Sequence, residues 1–215
     1  MRHPRSRRRL RPAARHTVEN ELRRFGFTRI AGVDEVGRGC LAGPVLAAAV
    51  VLDPADGLRG LRDSKLLTSA AREQLYDEII GSCLAWSVGT REPEEVDRLN
   101  IYHASLEAMA DALRGLSPLP DFVLVDAFRI PGVFIPQRGI VGGDRRCVGI
   151  AAASIVAKVT RDRRMNRLHE SDPRYGFDRH KGYATADHLA AMVRYGYSAA
   201  HRRSFRPRSL SDAID

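Results

Sequence analysis

The chain has 215 residues, 44% of them hydrophobic and 28% charged, which supplies a core for one domain and excludes a disordered chain. Lys and Arg total 35 against 26 Asp and Glu, a formal +9 that is unevenly spread: residues 1–16 carry +7, residues 17–157 carry −4, residues 158–208 carry +8 and the last seven −2. The longest apolar run, Cys40 to Leu52, is 13 residues and is broken by Gly43 and Pro44, so no membrane span is expected.

Residues 1–16 are rich in Arg and Pro without apolar periodicity and are predicted to be a disordered basic arm, with a domain from residue 17 to 215. Regular order is expected from about Arg29, where Ile30-Ala31-Gly32-Val33 forms a short strand running into Asp34-Glu35-Val36-Gly37-Arg38-Gly39. Pro44 to Asp53 reads as a buried strand. A helix capped by Thr68 or Ser69 should run through Ile80 and stop at Gly81, followed by a third strand over Leu84–Gly89. Pro93 opens a helical region with Glu94 and Glu95 in its first turn, and an apolar stripe continues it from Ile101 to Leu113. Phe122-Val123-Leu124-Val125 is a fully apolar strand closed by Asp126. A Pro- and Gly-rich connection over 130–143 leads to Asp144, a long helix over Val148–His169 and a last helix over Thr185–Tyr195. The pattern predicts an α/β fold, a mixed sheet flanked by helices, with a basic helical C-terminal region.

Two basic segments around an acidic middle suit a protein that grips a polyanion about a carboxylate site. The acids fall where such a site belongs. Asp34 and Glu35 sit at the end of one strand and Asp126 at the end of another, while Asp144 follows Gly142-Gly143. Each alone is equally a turn residue or a helix cap. Gathered together they repel one another by about 4 kcal/mol per pair at 4 Å for an effective dielectric near 20, so the set calls for a divalent cation, and oxygen-only donors favour Mg²⁺ or Mn²⁺ over zinc. Asp34 and Glu35 face opposite sides of an ideal strand, so their joint use requires a twist or bulge at the neighbouring glycines. Gly37-Arg38-Gly39-Cys40-Leu41-Ala42 also matches the dinucleotide pattern G-x-G-x-x-A, but Asp53 follows too soon, Pro44 interrupts the required helix, and the adjacent acids would repel a pyrophosphate.

With 32 Arg and only three Lys, the chain keeps lysine at Lys65, Lys158 and Lys181, which makes those three candidates for contacts that Arg cannot make. Tyr183, beside Gly182, can offer a ring to a sugar or base. Cys40, Cys83 and Cys147 form no C-x-x-C pair, so neither a disulfide framework nor a zinc site is supported and a reducing compartment is expected. The Arg-rich start lacks the apolar segment of an export signal.

The ordered set Val33-Asp-Glu-Val-Gly-Arg-Gly39, Asp63-Ser-Lys65, Val123-Leu-Val-Asp126, Gly143-Asp144, Ala152-Ala-Ser-Ile-Val-Ala-Lys158, His180-Lys-Gly-Tyr183 and His201-Arg-Arg-Ser-Phe205 resembles bacterial ribonuclease HII, the type 2 ribonucleases H, from Ile30 to Arg206. The resemblance implies an RNase H-like fold and a cytoplasmic, metal-dependent endonuclease in which Asp34, Glu35, Asp126 and Asp144 are catalytic and bind two divalent ions, Mn²⁺ or Mg²⁺. It implies that Gly37, Arg38 and Gly39 read a ribonucleotide 2′-hydroxyl and that Tyr183 stacks on the neighbouring sugar. It places Ser64, Lys65, Ser154, Lys158 and Lys181 near substrate phosphates or the active site. The implied partners are RNA–DNA hybrids and DNA duplexes containing ribonucleotides. The chain departs from the family pattern with Gly142 where a lysine is common, with Ala127-Phe128 where Gly-Asn is frequent, and with Cys40 where proline or alanine is usual. Still open beside this nuclease are a catalytically silent nucleic-acid-binding module, another nuclease or recombinase of the RNase H-like superfamily, and, more remotely, an NAD-dependent enzyme.

Overall fold

The computed structural model describes residues 17–55, 61 and 68–207. The expected basic arm, Ser64 and Lys65 lie outside these residues. Among the described residues, five strands form one mixed sheet: β1 Ile30–Val36, β2 Val45–Val51, β3 Ala85–Arg91, β4 Phe122–Asp126 and β5 Gln137–Ile140, in the spatial order β3-β2-β1-β4-β5. The β1–β2 and β2–β3 pairs are antiparallel, while β1–β4 and β4–β5 are parallel. The carboxyl ends of β1 and β4 therefore open at the same edge, which is where the acids stand.

Helices cover both faces. On one face, α2 (Ser69–Ser82) and α4 (Val148–Ser171) pack on Leu46, Ala48 and Val50; on the other, α3 (Pro93–Arg114) packs on Ala31, Val33, Ala47, Ala49 and Val51. All seven residues of β2 are buried, as a strand covered on both faces demands, and its continuous Val/Ala run follows from that. Helix α4 crosses β1 at Gly32 and Gly149. A β-carbon on Gly32 would lie 1.9 Å from the Gly149 carbonyl carbon, so only hydrogen fits at the crossing.

The α2 start matches expectation, with the Thr68 hydroxyl accepting from the Ala71 amide at 3.2 Å, but the helix runs past Gly81 to Ser82. Helix α3 is two segments joined at Asn100, whose φ is 62°; its Oδ1 accepts from the amides of Tyr102 (3.0 Å) and His103 (3.2 Å) and so restarts the helix. Order begins earlier than expected, with α1 (Thr17–Arg24), a short polar helix whose buried Glu19 accepts from the Gly149 amide at 3.0 Å and caps α4. Within the Pro- and Gly-rich connection, β5 lines up against β4. The C-terminal part comprises α5 (Phe177–His180) and α6 (Ala186–Tyr195) around an aromatic and histidine cluster.

Candidate active site

Of the expected twist or bulge, no bulge is present where Asp34 and Glu35 reach one cleft. The β1–β2 register stays regular from Ala31↔Val51 to Val36↔Leu46. The β1–β4 ladder instead ends at Val33↔Val125. Beyond it Asp34 turns toward α4, where Ser154 hydrogen-bonds it, and Glu35 emerges on the α3 side, where Arg38 Nη1 stands 3.6 Å from its Oε1. Both side chains wrap the open edge of the sheet and line a cleft with Gly37, Arg38, Gly39, Asp126, Ser154, Lys158 and Tyr183.

Asp126, the last residue of β4, accepts from the Gly143 amide through Oδ1 at 2.8 Å, which fastens the following turn to the site. Asp144 sits in that short 3-10 turn, Gly143–Arg145, which starts from Gly142 at φ 65°. It is buried, stands 3.8 Å from Arg145 Nε, and is not among the residues that line the cleft.

Burial raises the Asp34 carboxyl well above the usual carboxylate range, and the charges of Glu35 and Asp126 push in the same direction. Glu35 is raised too, first by burial, against the opposing pull of Arg38. Glu35 Oε2 is buried without a hydrogen-bond partner. Among the described residues, no three His, Cys, Asp or Glu side chains are spaced to enclose a metal ion, so the carboxylates line the cleft without forming a closed shell. The chemistry of the donor set nonetheless fits a hard divalent cation: oxygen donors only, adjacent acids raised first by burial and further by neighbouring carboxylates, and an unsatisfied buried oxygen.

Cations line the same cleft. Lys158 Nζ lies 2.6 Å from Asp162 Oδ1, and Arg72 of α2, which the sequence reasoning missed, lines the same wall 3.9 Å from Asp162 Oδ2. Nothing in the local sequence around Arg72 distinguishes it from a solvated helix cation. Lys181 does not line the cleft; its ammonium is held by Asn166 Oδ1 and by the Asp178 carbonyl at 2.6 Å.

The glycine loop is locked to the C-terminal part. Leu41 N donates to Gly182 O, Gly43 N to Ala200 O and Arg202 N to Leu41 O, each at 2.8 Å. Two fully buried arginines complete the join. Arg161 donates to the carbonyls of Pro44 (2.9 Å), Ala42 (3.0 Å) and Lys181 (2.8 Å), and Arg202 to those of Gly43 (3.0 Å) and Arg38 (3.1 Å). Gly37, at φ 92°, packs on Arg161, where a β-carbon would lie 2.3 Å from Nε; a β-carbon on Gly39 would meet open space. Both arginines stand in motifs of the family resemblance, Arg161-Asp162 and His201-Arg-Arg-Ser-Phe205, but the local pattern assigns them no structural role, since arginine in a basic segment ordinarily reads as surface. The carbonyl of Tyr183, a cleft residue that is 43% exposed, lies 2.9 Å from His188 Nδ1. Cys40 is buried, with no exposure, which makes it a packing thiol.

A mixed sheet with carboxylates at the ends of two parallel neighbours, facing a helix that carries Ser154 and Lys158, defines the ribonuclease H-like class of nucleases, hydrolases of the phosphodiester bond. The family model described as Ribonuclease HII matches residues 31–208. A ribonuclease HII of Cupriavidus necator is 54% identical over 182 residues, which cover 83% of this chain and 76% of that one. Among solved structures, the ribonuclease H2 of Pyrococcus horikoshii superposes with a TM-score of 0.72 at 26% identity, over 86% of this chain and 96% of that one. Bst-RNase HIII in complex with Mn²⁺ shares the fold at 19% identity, with a TM-score of 0.68 over 86% of this chain and 69% of that one. The chain belongs to the ribonuclease HII family. No described helix is long and apolar enough to cross a membrane.

Proposed function

We propose that this nuclease hydrolyses the RNA strand of RNA–DNA hybrids and nicks duplex DNA on the 5′ side of a single embedded ribonucleotide, leaving 3′-hydroxyl and 5′-phosphate ends. The observation that carries the reading is the meeting, in one cleft, of Asp34, Glu35 and Asp126 with the Gly37-Arg38-Gly39 loop and the ring of Tyr183.

Asp34, Glu35, Asp126 and Asp144 are the residues that would hold divalent cations, Mn²⁺ or Mg²⁺. When bound, such ions supply a water activated for in-line attack at phosphorus and neutralise charge on the departing oxygen. The chain's own groups do the rest. Lys158 and Arg72, both paired with Asp162, offer positive charge to the scissile phosphate from the part of the cleft lined by α2 and α4. Ser154 and the Glu35 amide, which donates to Asp34 Oδ1 at 2.8 Å, fix the direction of the Asp34 carboxylate. At the open side of Gly39 the backbone can come within hydrogen-bond distance of a 2′-hydroxyl, which a β-carbon would obstruct. Tyr183 offers its exposed ring to the neighbouring sugar, a stack that suits the junction where RNA passes into DNA. In the net reaction water adds to phosphorus, the bond from phosphorus to the 3′-oxygen breaks, and that oxygen leaves as a hydroxyl. A cytoplasmic enzyme fits the three free cysteines.

The test is cleavage of a labelled DNA duplex holding one ribonucleotide, beside an all-DNA duplex, with Mn²⁺ or Mg²⁺, with chelator, and with Asp34→Asn. A metal-dependent nick just 5′ to the ribonucleotide, lost in the variant and absent from all-DNA, is expected. Equal cutting of both duplexes would remove the role given to Gly37-Arg38-Gly39, and binding without cleavage under either metal would refute the reading.

A further inference from the structure

We infer that Phe128 is a positioning residue for Arg38 and thereby sets how well the cleft tells a ribonucleotide from a deoxyribonucleotide. This rests on the reading above for the role of Arg38 and goes beyond it in assigning the group that aims the guanidinium.

The Arg38 carbon Cζ lies 4.7 Å from the centre of the Phe128 ring, and Nη1 of the same guanidinium stands 3.6 Å from Glu35 Oε1. The Arg38 backbone is fixed separately, its carbonyl accepting from Arg202 Nη1 at 3.1 Å. A ring and a loose ion pair are thus what orient the head of a side chain that is 31% exposed. The ring differs from any polar partner in one respect. It holds the guanidinium by its π face and takes none of the five N–H donors, so the donor edge stays free for a phosphate or hydroxyl of the substrate. It also holds Arg38 when Glu35 is engaged elsewhere in the site.

Phe128 is itself built in. The half-buried ring packs against the core on the α3 side and meets Tyr102 edge to face, with centroids 5.9 Å apart and planes at 75°. Tyr102 stands in the first turn of the helix segment that Asn100 restarts. The Phe128 amide donates to Asp126 O at 2.7 Å, and its carbonyl lies so close to Gly139 that a β-carbon there would approach to 2.5 Å. Between Asp126 and Phe128, Ala127 takes a left-handed φ of 59°, a conformation that is strained for a residue with a β-carbon. The turn that carries the chain from an active-site acid to this ring is kept in spite of that strain.

The experiment is a double-mutant cycle. Phe128→Leu keeps an apolar side chain without a π face, Phe128→Trp keeps the face, and each is made in the natural and in the Arg38→Ala background. Affinity for the single-ribonucleotide duplex and for all-DNA is read by fluorescence anisotropy in chelator, where no cutting occurs, and kcat/KM on the ribonucleotide duplex is read with Mn²⁺. Phe128→Leu is expected to lower affinity for the ribonucleotide duplex and kcat/KM about fivefold, since a partly exposed cation–π contact is worth about 1 kcal/mol. Affinity for all-DNA should stay within twofold, Phe128→Trp should restore most of the loss, and Phe128→Leu should have no further effect once Arg38 is alanine. Equal losses in both backgrounds, or no loss at all, would overturn the inference, and thermal melts of each variant separate a folding defect from either. Failure of the natural chain to prefer the ribonucleotide duplex would count against the proposed function instead, while the cycle on the bound duplex still decides whether Phe128 acts through Arg38.

Discussion

Replacing Arg161 by methionine, a side chain of similar reach without charge or donors, tests whether buried guanidinium groups hold the glycine loop to the C-terminal part. The change removes three bonds from a cation to buried carbonyls, at 2.9 Å to Pro44, 3.0 Å to Ala42 and 2.8 Å to Lys181. A hydrogen bond to a charged group contributes roughly 1.5–3 kcal/mol, and a stranded buried acceptor costs about 1–3 kcal/mol. Against this, the variant no longer buries an ion, and Arg161 has full burial to lose. The carbonyls of Ala42 and Pro44 have no other element to turn to, because the loop is pinned on both sides by Leu41 and Gly43 backbone bonds to Gly182 and Ala200. A net loss of about 3 kcal/mol follows, or about 6–12 °C in melting temperature for a domain of this size. The assay is urea and thermal unfolding together with KM on the single-ribonucleotide duplex, which should rise more than kcat falls, since Gly37 rests on Arg161. A variant within 1 kcal/mol of the natural chain and unchanged in KM would refute the reasoning.

Asp34→Asn should abolish cleavage yet raise the melting temperature in chelator. The raised carboxyl means that the folded state holds its proton more tightly than the unfolded chain, so this group's contribution to stability falls as pH rises above 3.8 and asparagine escapes the loss; a lower melting temperature at neutral pH would contradict this. His188 and His201, joined through their Nε2 atoms at 3.1 Å, are both pushed down to about 4 by burial. The unfolded chain protonates near 6.5 while the folded state stays neutral, so their contribution is complete above that pH and is lost as pH falls from about 6.5 toward about 4. Urea midpoints should show the fall, and His201→Gln should flatten it; identical profiles would exclude the pair as the source. Gly32→Ala places a β-carbon 1.9 Å from the backbone of Gly149 and should cost about 3 kcal/mol or more, read as a shifted denaturation midpoint. Near-native stability would show that α4 can move off β1.

What the sequence by itself determined is local. Apolar runs that stop at an acid identified β1 and β4, a continuous Val/Ala run identified β2 as a buried strand, and Thr68-Ser69 marked the start of α2, because each signal is complete within a few residues. The ordered motifs brought the family into view on the same local basis. Tertiary structure decided the rest. Gln137-Arg138-Gly139-Ile140 has no strand pattern of its own and becomes β5 through backbone bonds to β4. Helix α1 has little apolar surface and is kept by burying Glu19 at the start of α4. Asp34 and Glu35 alternate along a regular strand, yet share a cleft because the neighbouring ladder ends at Val33, a fact of sheet register that no spacing within β1 contains. Arg161 and Arg202 have the chemistry of surface cations, and only the convergence of distant carbonyls turns them into core residues. Local chemistry reads out the elements and the reactive side chains; which of them meet depends on register, crossing points and buried polar partners far apart in the chain.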